Sequence, residues 1–248
     1  MVKVGIIGGS GLDDPDIIKC PNEIVVETDY GTPSSPLTVG KIGAVDVVLL
    51  ARHGKKHQFS PTLVNYRANI RALKDQGVTH IIATTACGSL KEEVERGDFI
   101  IVDQFIDFTR HRKITFYESF KDEARHTPMA DPFDIGLRSA LYETSTELGF
   151  KTHNGGTVIT IEGPRFSTRA ESKMFRLWGA DIINMSVAPE AILANETGIP
   201  YAVVAMSTDY DCWKEDEKPV SWEEITEVFN MNAERVKKLL IKVISKIK

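Results

Sequence analysis

Short apolar runs rich in valine and isoleucine recur along the chain, separated by polar or glycine-containing segments. Runs of this length predict buried β-strands, because a strand covered on both faces needs no polar alternation. Longer segments whose apolar positions follow helical spacing lie between some of them. The predicted strands are 2–7, 45–51, 80–84, 99–102, 157–161, 181–185 and 201–206.

Four of the predicted helices end at a glycine, which is the residue that most often follows a helix. Pro189 suits the first turn of the fourth helix. The last helix begins at Ser221, with Glu224 three residues on, which is the pattern of a capping box. The predicted helices are 61–76, 133–148, 169–178, 189–197 and 221 to the end.

The alternation of strands and helices predicts an α/β fold with a largely parallel or mixed central sheet. The chain has 248 residues, of which 42% are hydrophobic, and this is enough for one deep core. No repeat, low-complexity tract or long linker divides the sequence. We therefore expect a single domain over residues 1–248.

Charge and cysteine content narrow the class of protein. The net charge of −5 argues against a nucleic-acid partner, because phosphate backbones are bound mainly by an excess of lysine and arginine. The three cysteines, Cys20, Cys87 and Cys212, are far apart and include no CxxC pair. This predicts a reducing compartment without disulfides or a metal cluster. The N-terminal segment lacks the features of a signal peptide or membrane span, so we expect a cytoplasmic protein with no membrane partner.

Polar side chains follow several of the predicted strands. In open α/β sheets, ligands bind beyond the carboxyl ends of the strands, so these side chains are expected to lie together. Glycine-rich turns, hydroxyls and the planar fork of arginine are suited to a tetrahedral oxyanion. The candidates for an anion site are Ser10, Arg52, His53, Thr85 and Ser186.

A second group of residues predicts that a heterocycle binds beside the anion. Asp209 and Asp211 follow the last strand, and carboxylates accept hydrogen bonds from amino groups of a base. Met185 and Phe166 are apolar and are available to cover a sugar or a ring. Taken singly, each residue has an ordinary structural interpretation, such as a turn made by Asn184. Their repeated position at strand ends favours a binding site.

Seven segments resemble one enzyme family, the 5'-methylthioadenosine phosphorylases of the trimeric branch of the purine nucleoside phosphorylase superfamily. The resemblance extends from residue 2 to about residue 240 and implies a single-domain, purine nucleoside phosphorylase-like fold with a twisted mixed sheet flanked by helices. The segments are GIIGGSGL (5–12), LLARHG (49–54), NYRANI (65–70), TTACGSL (84–90), TIEGPRFSTRAES (160–172), WGADIINMS (178–186) and STDYDCW (207–213).

The resemblance also implies roles for single residues. It places phosphate against Ser10, Arg52, His53, the side chain of Thr85, the amide of Ala86, and Ser186. It places the nucleoside against Met185 at the ribose, Phe166 beside the purine, Asp209, Tyr210 and Asp211 at the base, and Asn184. Ser167 stands at a position associated with substrate preference. His126 is similar to a histidine that a neighbouring subunit lends to the 5' end of the ribose, in a homotrimer or a dimer of trimers.

Trp222 departs from the family pattern, because relatives have smaller residues where the 5' group is sensed. We expect the indole to reshape that subsite. The chain also ends soon after its last helix, whereas longer members continue toward a neighbour's active site.

The expected reaction is phosphorolysis of 5'-methylthioadenosine to adenine and 5-methylthioribose 1-phosphate, in purine and methionine salvage. Asp211 is the expected proton donor at the purine N7, and Asp209 orients the 6-amino group. Carboxylates at both positions favour 6-amino purines, because a 6-oxo group is better matched by asparagine. Phosphate is a co-substrate, and no cofactor or metal is expected, since no ligand spacing such as HExxH occurs.

Other functions are left open or are disfavoured. A 5'-methylthioinosine or 6-oxopurine nucleoside phosphorylase of the same fold is the alternative. A nicotinamide-dependent oxidoreductase is disfavoured, because position 13 is Asp where GxGxxG needs its last glycine. A serine hydrolase built on Ser10 lacks the GxSxG elbow. A module that binds nucleoside without catalysis also fits the residues.

Overall fold

The structure, a computed structural model, describes residues 1–8, 17–120, 123–216 and 222–247. Over these residues, eleven strands form one sheet and five α-helices pack on it. The strands are β1 (Lys3–Gly8), β2 (Lys19–Ile24), β3 (Leu37–Ile42), β4 (Val45–Ala51), β5 (His80–Ser89), β6 (Phe99–Ile101), β7 (Gln104–Phe108), β8 (Thr152–Asn154), β9 (Thr157–Ile161), β10 (Ile182–Asn184) and β11 (Tyr201–Tyr210). The helices are α1 (Tyr66–Asp75), α2 (Ile135–Glu147), α3 (Arg169–Leu177), α4 (Val187–Thr197) and α5 (Trp222–Ile244).

The sheet is mixed, as predicted, and β5 is its hub. β5 pairs in parallel with β1 and with β11, and its last residues pair antiparallel with β10. β1 also pairs in parallel with β4, which brings Gly8 opposite Ala51. The carboxyl ends of these neighbouring strands therefore meet at one edge of the sheet.

Consecutive residues of the central strands pack into two separate apolar cores, one on each face of the sheet. Ile7 and Ile81 belong to one core, and the next side chains, Ile6 and Ile82, belong to the other. This alternation follows from the twofold period of a strand, which sends successive side chains to opposite faces. Helix α4 contributes buried residues to the first core and α5 to the second. Both faces of the sheet are thus covered, which explains the near-continuous apolar runs.

Four strands, β2, β3, β7 and β8, were not predicted. β2 is almost fully exposed and contains a proline and charged residues, as edge strands often do. β7 is only half-buried along its length, and β8 has three residues. None of these segments carries the long apolar run that marks a central strand.

Two predicted strands are longer than expected. β5 continues to Ser89 and β11 to Tyr210, so Thr85, Ala86 and Asp209 lie inside strands rather than in the loops after them. The two extensions pair with each other, with a register shift between Ser207 and Asp209. Polar residues that are buried by a neighbouring strand look like loop residues in the sequence.

The helix starts also differ from the predicted ones. A short 3-10 turn over Pro61–Leu63 precedes α1, which begins after Asn65, whose side chain accepts a hydrogen bond from the Ala68 amide. α4 begins at Val187, two residues before Pro189. The capping box predicted at Ser221 lies outside the described residues. In the part of the chain described here, no helix is both long and apolar enough for a membrane crossing.

Candidate active site

A cavity of 490 Å³ opens at the carboxyl ends of the central strands. Its lining comes from the ends of β5, β9, β10 and β11, from the segments that follow β4, β9 and β10, and from α5. Eleven of the predicted site residues line it: Arg52, His53, Thr85, Ala86, Phe166, Ser167, Asn184, Met185, Ser186, Asp209 and Asp211.

Arg52 is the most deeply buried charge of the cavity wall. It directly follows β4, and its side chain is 1% exposed. Its Nε lies 2.5 Å from Glu190 Oε1, its Nη2 lies 3.0 Å from Oε2, and its Nη1 donates to the Thr84 carbonyl at 2.9 Å. Burial acts to lower the pKa of Arg52, but the charge and hydrogen bonds of Glu190 raise it above its usual value. Arg52 is therefore a permanent cation with a fixed orientation.

His53 stands beside Arg52 as a neutral imidazole. Burial, followed by the charge of Arg52, lowers the pKa of His53 to about 4. Its Nδ1 lies 2.9 Å from the Phe59 carbonyl, so we assign the ring hydrogen to Nδ1. Nε2 is then a hydrogen-bond acceptor, which matches a protonated oxygen of an acid phosphate. The ring of His57 stacks on that of His53 with centroids 4.6 Å apart.

Hydroxyl groups complete the same end of the cavity. Asn184 donates to the Thr85 hydroxyl at 3.2 Å and accepts from Thr160 at 2.9 Å, so it holds Thr85 in place. Ser186 is the residue before α4, and its side chain makes no capping bond there. The positive end of the α4 dipole favours an anion at this place.

Two carboxylates lie at the other end. Asp209 is 9% exposed and accepts from the Thr208 hydroxyl at 2.7 Å. Asp211 is 5% exposed, and Ser167 Oγ lies 2.8 Å from its Oδ1 and 2.6 Å from its Oδ2. The Asp211 amide also donates to the Ser89 carbonyl at 3.0 Å, which ties the segment after β11 to the end of β5. These bonds fix both carboxylates at the cavity wall.

Apolar side chains separate the two polar ends. Met185 and Phe166 both line the cavity, and Phe166 is 41% exposed. The backbone of Gly163 has a φ of +64°, and a Cβ there would lie 2.4 Å from Met185 Sδ. Only glycine therefore lets the chain approach Met185 so closely.

Two predicted residues are not brought to this cavity. Tyr210 lies between Asp209 and Asp211, and strand alternation turns its ring to Trp213 and to Lys214, whose Nζ is 3.9 Å from the ring centroid. His126 packs against Phe120 and lines a different cavity with Tyr117 and Glu196. Ser10 and the side chain of Trp222 lie outside the described residues.

Several lining residues were missed by the sequence analysis. His57, Phe59, Ser60 and Pro61 come from the loop after Arg52, which folds back through a hydrogen bond from the Phe59 amide to the His53 carbonyl. The LLARHG segment pointed to this loop, but nothing in the sequence showed where it returns. Asn230 reaches the cavity from α5 and carried no sequence signal. Over the described residues, no group of three or more His, Cys, Asp or Glu side chains is arranged to hold a metal ion.

Comparison with known proteins gives consistent matches. The family model described as the phosphorylase superfamily matches residues 3–245. The chain is 56% identical to the S-methyl-5'-thioadenosine phosphorylase of Xenopus tropicalis and 53% identical to that of Danio rerio, over 99% of this chain and 89% of each relative. The solved structure of methylthioadenosine phosphorylase from Schistosoma mansoni in complex with adenine superposes with a TM-score of 0.94 at 43% identity, covering 99% of this chain and 91% of that one.

The fold and the cavity define an α/β enzyme whose pocket has hydrogen-bond donors suited to an anion at one end and two carboxylates at the other. The chain belongs to the phosphorylase superfamily and, within it, to the family of S-methyl-5'-thioadenosine phosphorylases. It is accordingly a pentosyltransferase.

Proposed function

We propose that the chain cleaves 5'-methylthioadenosine with inorganic phosphate, giving adenine and 5-methylthioribose 1-phosphate. The observation that carries this proposal is the single cavity that joins Arg52, Thr85 and Ser186 at one end to Asp209 and Asp211 at the other. A related structure, a variant adenosine/methylthioadenosine phosphorylase from Schistosoma mansoni in complex with methylthioadenosine, supports it at a TM-score of 0.93 and 42% identity.

The anion end is suited to phosphate that attacks the anomeric carbon. Arg52 supplies directed N–H donors, Thr85 and Ser186 supply hydroxyls, and neutral His53 accepts a hydrogen bond through Nε2. Preorganised donors of this kind stabilise developing charge without rearranging during the reaction. The bond from phosphate oxygen to carbon forms as the bond from carbon to the base nitrogen breaks. Positive charge that develops on the ribosyl carbon is stabilised by the phosphate dianion.

The carboxylate end is suited to the departing base. Asp211, when protonated, delivers a proton to the purine N7, and this neutralises the charge that the base gains as it leaves. Asp209 accepts a hydrogen bond from the 6-amino group. Ser167 holds the Asp211 carboxylate through its hydroxyl, so it sets the direction from which that proton arrives. Met185 and Phe166 cover the sugar and the ring.

The proposal also concerns the oligomeric state of the protein and its location in the cell. His126 lies in a second cavity of the same chain, so its contribution to a nucleoside requires a neighbouring subunit in a homotrimer or a dimer of trimers. The reaction needs phosphate as co-substrate and neither a metal nor an organic cofactor. We further propose a cytoplasmic enzyme that acts on a small nucleoside, without nucleic-acid partners.

The test is release of free adenine from 5'-methylthioadenosine, measured by chromatography with and without phosphate. Adenosine and 5'-methylthioinosine are run beside it. Phosphate-dependent release that is fastest with 5'-methylthioadenosine supports the proposal. Faster release of hypoxanthine from 5'-methylthioinosine overturns the role given to the two aspartates. Release of adenine without phosphate overturns the role of the anion end.

A further inference from the structure

Arg52 rests on a buried acidic partner that does not line the cavity. Glu190 is in the first turn of α4, four residues after Ser186, and its side chain is 1% exposed. It accepts from Arg52 through both oxygens, at 2.5 and 3.0 Å. Tyr201, at the start of β11 and 1% exposed, donates its hydroxyl to Glu190 Oε2 at 2.9 Å. Helix α4 and strand β11 thus clamp one carboxylate beneath the guanidinium.

This arrangement leaves a defined part of Arg52 for a ligand. Glu190 and the Thr84 carbonyl occupy three of its five N–H groups. The guanidinium is planar, so a carboxylate held on its Nε–Nη2 edge fixes the direction of the remaining hydrogens. Arg52 also borders the cavity, so those hydrogens are the ones that meet the anion.

A buried ion pair is weak evidence for a role in stability. Removing two charges from water costs energy, and apolar residues of similar volume often stabilise a core equally well or better. The pair is therefore better explained by orientation than by folding. It also balances the charge of Arg52, so the anion is held by directed hydrogen bonds and the α4 dipole rather than by a free cation.

We infer that Glu190, braced by Tyr201, is a positioning residue that aims Arg52 at the phosphate of the reaction. The inference rests on the proposed function for the identity of the anion. Without the second acceptor oxygen of Glu190, Arg52 turns within its pocket, and the phosphate loses a donor while the nucleoside end stays intact. A misplacement of this size costs a factor of about 10 to 100 in the affected step.

The experiment compares the variants Glu190→Gln, Glu190→Asp, Tyr201→Phe and Leu193→Ala. Leu193 is fully buried in the same helix and belongs to the first core, so its truncation controls for lost stability alone. In Glu190→Gln the KM for phosphate is expected to rise about 10- to 100-fold, while the KM for 5'-methylthioadenosine changes less than about twofold. Glu190→Asp keeps the charge and is expected to recover part of this loss. In Tyr201→Phe a rise of about threefold is expected, since Glu190 loses one hydrogen bond but keeps its ion pair with Arg52.

A direct binding measurement separates this inference from the proposed function. The shift in melting temperature with inorganic phosphate, with no nucleoside present, is compared between the wild type and each variant. If the wild type binds phosphate but releases no adenine, the proposed function fails. The phosphate-induced shift in melting temperature, compared between the wild type and Glu190→Gln, then still tests the role of Glu190. A wild-type phosphate KM and shift in Glu190→Gln overturn the inference, as does a loss in Leu193→Ala equal to that in Glu190→Gln. If Glu190→Gln does not fold, a wild-type phosphate KM in Tyr201→Phe overturns it.

Discussion

At the scale of single residues, neighbours decide the chemical state of the cavity side chains. His53 is neutral because it is buried beside Arg52, and its tautomer follows from the Phe59 carbonyl. Asp211 is oriented by Ser167, and Thr85 by Asn184. In the sequence, the residue types alone predicted one group of residues suited to an anion and a second group suited to a base. Their protonation states and directions depend on contacts between residues that are far apart in the chain.

The acid role of Asp211 predicts a selective loss. In Asp211→Asn, turnover of 5'-methylthioadenosine is expected to fall about 100-fold or more, because an amide cannot donate the acid proton to N7. Phosphate binding, at the other end of the cavity, is expected to stay unchanged. Steady-state kinetics and the phosphate-induced thermal shift check both statements. Asp46→Asn is the matched control, since Asp46 is an exposed aspartate that pairs with Lys41 and does not line the cavity. Unchanged kinetics in Asp211→Asn contradict the assignment.

The lowered pKa of His53 predicts a pH-dependent stability. The folded protein takes up the proton of His53 only near pH 4, whereas the unfolded chain takes it up near 6.5. The contribution of neutral His53 is complete above pH 6.5 and is lost as the pH falls toward 4, by at most about 3 kcal/mol. Urea unfolding in phosphate-free buffer at pH 7 and pH 4.5 measures this. The decline is expected to be smaller in His53→Gln, and an equal decline in both proteins refutes the attribution.

At the scale of elements, the start of a helix places two residues of the cavity wall. Phe166 and Ser167 lie directly before Thr168, the N-cap of α3. Thr168 accepts from the Glu171 amide at 3.2 Å, and Glu171 accepts from the Thr168 amide at 2.8 Å. The start of α3 is therefore fixed from both sides, and with it the position of the two residues that line the cavity.

The α3 cap predicts a loss of stability when its hydroxyl is removed. Thr168→Ala is expected to lower the free energy of unfolding by about 1 kcal/mol, because the Glu171 amide loses its partner. Thr146→Ala is the control, since Thr146 is an exposed helical residue whose hydroxyl bonds only within α2. Chemical denaturation compares the two. An equal or smaller loss in Thr168→Ala than in Thr146→Ala contradicts the importance of the cap.

The close approach of Gly163 to Met185 predicts a functional loss from one added methyl group. Gly163→Ala forces Met185 to move, because the new Cβ overlaps its sulfur. The KM for 5'-methylthioadenosine is expected to rise about tenfold or more. Gly179→Ala has a comparable positive φ of +86° and no atom within 4 Å of the new Cβ, so it carries the backbone strain without the clash. Similar kinetics in the two variants indicate that strain, and not Met185, is responsible.

At the scale of the whole molecule, β5 and β11 connect the two ends of the cavity. Thr85 on β5 pairs with Ala205 on β11, and Gly88 pairs with Asp209 after the register shift. A Cβ at Gly88 would lie 3.1 Å from Asp209 Oδ2, so the carboxylate packs directly on the neighbouring strand. The separation between anion end and carboxylate end is therefore set by strand pairing.

The proposed assembly predicts complementation between two inactive variants. In His126→Ala the lent histidine is missing, and in Asp211→Asn the acid is missing. If His126 acts on a neighbour's cavity, mixed oligomers formed on co-expression contain sites with both residues intact, and activity is expected to exceed that of either variant by about tenfold or more. Separately expressed variants mixed without subunit exchange are the control. Activity that stays at the level of the parents contradicts the lending of His126 across subunits.

The sequence by itself determined the fold class, the central strands and half of the cavity wall. Central strands are covered on both faces, so their sequences are apolar runs. In a sheet of this topology, ligand-binding residues follow the carboxyl ends of these strands. Exposed edge strands such as β2 and short ones such as β8 carry no such pattern and were missed.

Tertiary structure alone decided which polar residues line the cavity and which hold others in place. Glu190 and Tyr201 look like ordinary helix and strand residues in the sequence, and they meet Arg52 only because α4, β4 and β11 converge. Tyr210 lies between two cavity residues in sequence and is excluded from the cavity by strand alternation. Hydrophobic pattern is a local property that each segment carries alone, whereas hydrogen-bond partners and burial depend on segments that meet only after folding.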